Sequence, residues 1–164
     1  MATEPILQLR DALIARLNTE LTAAIGSAVV VEPRYVPYLE PSDLATPRWI
    51  AVLNADSIES QLRGLAPGEL AIDIGFQAAL PPKAQRTADF FKTETLDAWV
   101  ERVGKLKALY RPDQPAGKLR GERIAGAEFR RYTNAPLFRQ DALVANGIFI
   151  SVVTLVYYFE HNDD

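Results

Sequence analysis

The chain has 164 residues, is 48% hydrophobic and 24% charged, and carries a formal net charge of −3. This length suits one domain, residues 1–164, able to bury about 70% of its unfolded surface. The absence of cysteine removes disulfides, thiolate nucleophiles and Cys-based zinc sites together, and the negative charge argues against broad nucleic-acid binding while leaving a local basic patch open.

The N-terminus, Met-Ala-Thr-Glu-Pro, has neither a basic flank nor an apolar run, so no signal peptide is expected and the chain reads as soluble and made inside the cell. Ile6, Leu9, Leu13, Leu17 and Leu21 recur every three or four residues and predict a helix from Thr3 to about Ala24. Thr3 is its expected N-cap, Pro5 suits the first turn and Gly26 the stop. Ala28 to Val31 predicts a short strand ended by Pro33, and 34–47 an extended loop rich in proline and aromatics. Arg48 to Leu53 predicts a second strand.

A loop or short helical turn follows from Asn54 to Gly68. Glu69 to Leu80 then alternates, with Leu70, Ile72, Ile74 and Phe76 on one face and Ala71, Asp73, Gly75 and Gln77 on the other, as a half-buried strand does. A second helix is expected from Thr87 to Tyr110, with Phe91, Leu96, Trp99, Val100, Val103, Leu106 and Tyr110 as its apolar stripe. After a loop, Glu122 to Tyr132 predicts a strand on which Ala127, Phe129 and Arg131 share a face. Asp141 to Asn146 reads as a turn.

Ile148 to Phe159 is a dense run of β-branched and aromatic residues with two largely apolar faces. As a strand it would reach about 40 Å, close to the diameter of a domain this size. It belongs in the middle of a covered sheet, or presents one face to another subunit. Phe149, Val153, Leu155 and Tyr157 are the candidates for core or subunit interface. As a helix the run is too short to span a bilayer, so no membrane partner is expected. Residues 160–164 read as a disordered tail.

The order α-β-β-β-α-β-β predicts an α+β fold: a single mixed, mainly antiparallel sheet of four to five strands with two helices on one face. Exposed sheet edges of such a subunit could pair across copies by strand addition.

Chemistry-bearing patterns are sparse. His161 lies in the polar tail, leaving no histidine for a Ser-His-Asp arrangement, and neither phosphate-binding glycine fingerprint occurs. Asp56 with Glu59, and Glu94 with Asp97, could form acid/base or magnesium pairs on helical turns, but solvated helix charges explain them equally. No catalytic residue, metal or cofactor is assigned. The region from Arg102 to Arg139 is basic, and Lys118, Arg120 and Arg123 form its candidate patch. It could meet DNA phosphates, or acidic residues of a neighbouring subunit; the negative overall charge favours the second. Trp49 and Trp99 read as core. Tyr35 and Tyr38, in the proline-rich loop, are candidate partner contacts.

The N-terminal helix followed by Val29-Val-Val-Glu-Pro33, the Trp49-Ile-Ala-Val-Leu53 and Leu70-Ala-Ile-Asp-Ile-Gly-Phe76 strands, the second helix, and Asn134-Ala-Pro136 ahead of Ile148–Phe159 together resemble the tail terminator and minor tail completion proteins of long-tailed phages. The resemblance covers most of the chain and rests on layout. It implies a virion structural protein, phage- or prophage-encoded and made in the host cytoplasm. Its subunits would form a six-membered ring that caps the tail tube and joins it to the head. The implied partners are other copies of the chain, tail-tube and head-connector proteins, and DNA in transit. No catalytic residues are implied, and the Lys118-Leu-Arg120 loop has no counterpart in that layout. Two other readings stand beside it: an assembly chaperone or binding module for tail-tube or injection-type machinery, and a small carboxylate-dependent enzyme.

Overall fold

The computed structural model describes residues 4–37, 39–53, 68–80, 94–112 and 117–159. Its centre is one five-stranded sheet in the order β1-β2-β3-β5-β4. The strands are β1 (Val31–Arg34), β2 (Arg48–Leu53), β3 (Glu69–Ala79), β4 (Ala127–Thr133) and β5 (Ile148–Phe159). Only β1 and β2 run parallel; every other neighbouring pair is antiparallel. The helices are α1 (Pro5–Ile25), α2 (Glu94–Ala108) and the short α3 (Gln140–Asn146). This is the expected α+β class with a single mixed sheet.

The register divides the sheet into two faces. Trp49 lies opposite Phe76 and Phe76 opposite Ser151; Ile74 lies opposite Val153, Ile72 opposite Leu155, and Leu70 opposite Tyr157. Side chains in register share a face, and this one takes α1 and α2. Leu9, Leu13, Leu17 and Leu21 of α1 and Trp99, Val103 and Leu106 of α2 are buried on it. Each such side chain contributes about 1.5–3 kcal/mol on leaving water. Rings continue the packing: Trp49 lies 4.9 Å from Phe76, Trp99 5.6 Å from Phe149, and Phe129 5.8 Å from Tyr157.

Phe149, Val153, Leu155 and Tyr157 all belong to this core, so the terminal strand spends that face inside its own subunit. On its second face Val156 is buried and Ile148, Ile150, Val152, Thr154 and Tyr158 are half-buried.

Several local expectations need correction. The N-cap of α1 is Glu4, which makes no side-chain capping bond; Thr3 lies outside the described residues. The stop at Gly26 holds, with φ 83° and its N–H on Thr22 O. β1 begins at Val31, later than expected, and runs through Pro33. An edge strand tolerates a residue without an N–H. Two hydrogen bonds fix where it starts: Val29 N to Thr22 Oγ1 and Val31 N to Asn18 Oδ1. Thr87 and Phe91 lie outside the described residues, and α2 is described from Glu94.

β4 begins only at Ala127, because Ile124 and Ala127 close a tight hairpin turn. Ala125 and Gly126 have φ 50° and 80°, the positive pair of a type I′ turn. A bulge between Phe129 and Arg131 then shifts the register. Arg131 therefore leaves the face of Phe129, and Tyr132 returns to it opposite Leu155. The expected turn at Asp141–Asn146 is the helix α3, ended by Gly147 at φ 64° and anchored by buried Leu143. Between β4 and α3, Asn134 Nδ2 donates to Ser151 Oγ and Val152 O, which holds the 134–137 segment on β5.

Candidate interaction surface

The proline-rich segment after β1 shapes the second face of the sheet. Pro37 O accepts Gln77 Nε2 at 2.6 Å. Leu39, and Leu44 from the 3-10 turn Pro41–Leu44, pack on Ile50 and Val52. Register places Ile50 opposite Gly75 and Val52 opposite Asp73, on the face away from α1 and α2. Gly75 makes room: a Cβ there would stand 3.0 Å from Ile50 Cγ1.

The same segment leaves apolar side chains in solvent. Tyr35 is 73% exposed and Val36 58%, and Val30 before β1 is 68% exposed. Tyr35, an expected partner contact, is thus solvent-exposed; Tyr38 lies outside the described residues. Amphipathic aromatics and valines projecting beside a sheet edge are the raw material of protein contacts.

Both outer strands resist strand addition. β1 has four residues and contains Pro33; β4 carries its bulge and two adjacent arginines, Arg130 and Arg131. Such features blunt a sheet edge. Neither outer strand, as described, offers the long regular edge that strand pairing between copies would use.

The basic region divides in two. One part is ion-paired within the chain. Arg16 Nη2 lies 2.8 Å from Glu122 Oε2 and Arg16 Nη1 3.3 Å from Glu20, with Lys118 Nζ 3.8 Å from the other Glu20 oxygen. This network ties α1 to the segment between α2 and β4. The Glu122 hydrogen bond holds the Arg16 guanidinium in its charged form, above its ordinary pKa. Arg123 Nη2 lies 3.0 Å from Glu128 Oε1, and Arg131 Nη1 3.0 Å from Glu69 Oε2 across β5. Arg130 stacks 4.5 Å above the Tyr158 ring. At the opposite edge Glu32 accepts from both Arg34 and Arg48, at 3.1 and 2.7 Å.

The other part has no ion-pair partner among the described residues: Arg102, Lys105, Lys107 and Arg111, all on or just after α2. Arg120, which donates to Tyr110 O at 3.2 Å, belongs to the same end. Of the expected patch, then, Lys118 and Arg123 are tied to carboxylates and only Arg120 joins the unpaired group. Sequence order could not separate the two, because the pairing carboxylates come from as far away as Glu20 and Glu69.

The carboxylate pairs fare differently. Asp56 and Glu59 lie outside the described residues, as does His161. Asp97 is exposed on α2, and the side chain of Glu94 is not among those described. Asp73 is half-buried and accepts Thr154 Oγ1 at 2.7 Å, a cross-strand bond. A cleft of ≈ 340 Å³ beside β1 holds Arg48 and Arg102, partly neutralised by Glu32. Among the described residues no group of three or more His, Asp or Glu could hold a metal ion, and no helix is long and apolar enough to cross a membrane.

No family model matches the chain, and no curated protein matches it.

Proposed function

We propose that this chain is a ring-forming structural subunit of a long-tailed phage particle, closing the end of the tail tube and joining it to the head. The observation that carries this reading is the division of surface roles. Polar groups on the sheet are largely satisfied by one another, while Val30, Tyr35 and Val36 project into solvent at one edge. That surface offers contact chemistry.

The layout supports the same reading. An N-terminal helix, a proline-rich excursion laid over the sheet and a long closing strand recur in the order that resembles tail terminators. The core of β5 lies inside the subunit, so each copy can fold before it assembles. Assembly then draws on exposed side chains, and a ring needs two different patches that meet head to tail.

The test is assembly on purified tail tubes. Tubes incubated with the protein should acquire a terminal ring and stop growing. A variant with Tyr35→Ser and Val36→Ser should keep its fold and cap tubes at least about tenfold less well, as loss of an interface anchor predicts. Tubes that remain bare and continue to polymerise with the unaltered protein would refute the reading. A transient chaperone would instead leave the finished particle, and protein analysis of purified particles separates the two.

A further inference from the structure

We infer that successive copies of the chain meet front to back, the cations on the C-terminal half of α2 in one copy facing Glu40 and Asp43 of the next. This rests on the ring-forming reading and names the surfaces that make the ring.

The two groups lie on opposite sides of the sheet. α2 buries Trp99, Val103 and Leu106 on the face of Phe149, whereas the 3-10 turn plants Leu44 on Ile50 and Val52 of the other face. Both groups lack ion-pair partners among the described residues. Lys105, Lys107 and Arg111 have none, in a chain where Arg16, Arg34, Arg48, Arg123 and Arg131 are all paired. Glu40 and Asp43 are exposed, and among the described residues their carboxylates meet backbone amides of the turn they cap. Exposed Tyr35 and Val36 precede them in the same segment, and exposed aromatic side chains near charged groups are typical of contact surfaces.

Charge selects the geometry. Because the two groups lie on opposite sides of the sheet, no single two-fold interface contains both, and one centred on either group would oppose lysine to lysine or carboxylate to carboxylate. Only a head-to-tail contact pairs the cations with the acids. Repeated with a rotation that closes, that contact builds a ring. The competing occupant of the α2 cations is the phosphate backbone of DNA, which would leave Glu40 and Asp43 without a role.

The experiment measures oligomer mass by native mass spectrometry. Two variants are needed: Lys105→Glu with Lys107→Glu, and Glu40→Lys with Asp43→Lys. Asp43 caps its turn, so Glu40→Lys alone serves as a milder second version. Each variant should dissociate at a protein concentration at least about tenfold higher than the unaltered chain, as loss of facing charges predicts. An equimolar mixture of the two should recover the full mass with alternating subunits, because each then offers the charge the other lacks. Variants that keep the unaltered mass would overturn the inference and leave the ring reading standing. So would duplex DNA that binds the unaltered chain and is released by the α2 variant with no change in mass. An unaltered chain that stays monomeric both alone and with tail tubes would overturn the ring reading itself.

Discussion

The hydroxyls of Tyr110 and Tyr157 meet at 2.9 Å inside the core, joining the turn after α2 to strand β5. Each is the other's partner in a setting that water does not reach. Removing one hydroxyl leaves a buried polar group unsatisfied, whereas removing both leaves two well-packed rings. Tyr110→Phe and Tyr157→Phe should each cost about 1–3 kcal/mol. The double variant should be no less stable than the worse single one. Urea denaturation of the four proteins measures this; additive losses would mean that the hydroxyls act independently.

The same pair sets an alkaline limit. Burial pushes both phenols above their ordinary pKa, with each other's proximity adding to the shift at Tyr110. An acid whose folded pKa is raised holds its proton more tightly when folded. Its contribution is therefore complete below the unfolded value and declines as pH rises past about 10. Melting temperature should fall above that pH, with phenolate absorbance from these two residues appearing only on unfolding. The Tyr110→Phe, Tyr157→Phe double variant should lose part of that decline.

Ala125 has φ 50° next to Gly126 at φ 80°. A β-carbon in the left-handed region costs about 1–2 kcal/mol, and asparagine carries that cost more easily than alanine. Ala125→Asn creates the Asn-Gly pair that type I′ turns favour and should raise stability by about 0.5–1 kcal/mol relative to the strained alanine. Thermal denaturation would read this as a higher melting temperature.

Gly68 presents the opposite case. Its φ is 83°, and a Cβ would stand 2.9 Å from Tyr158 Cε2 and 3.0 Å from Phe159 O. Its own carbonyl accepts Phe159 N at 3.0 Å, fastening the start of β3 to the end of β5. Gly68→Ala should cost about 1–3 kcal/mol from backbone strain. The loss should show first as faster amide exchange at Phe159.

On α1, Leu13 is fully buried between Leu9 and Leu17. Leu13→Ala should lose about 2–5 kcal/mol, since the cavity adds to the lost transfer energy. A smaller loss in calorimetry would mean that α1 settles into the space.

Where periodicity alone decides structure, the sequence was readable. β2 and β5 begin and end at their expected residues, and Leu9, Leu13, Leu17 and Leu21 of α1 all face the core. It was misleading where a single position breaks the period. The bulge after Phe129 moved Arg131 to the opposite face, and the positive-φ pair at Ala125-Gly126 turned the start of an expected strand into a hairpin turn. α3 was missed because seven residues carry too little periodicity, and its helix depends on buried Leu143. The surface was half legible. The exposure of Tyr35 agrees with its type and its proline-rich setting, but Lys118 separates from the cations of α2 only once distant Glu20 is brought alongside, while Arg123 pairs with nearby Glu128.

Electron micrographs of the purified protein, alone and mixed with tail tubes, test the central claim most directly. Closed rings of uniform diameter, free in solution or seated on tube ends, are the expected result. A field of single subunits, with every tube end bare, would contradict it.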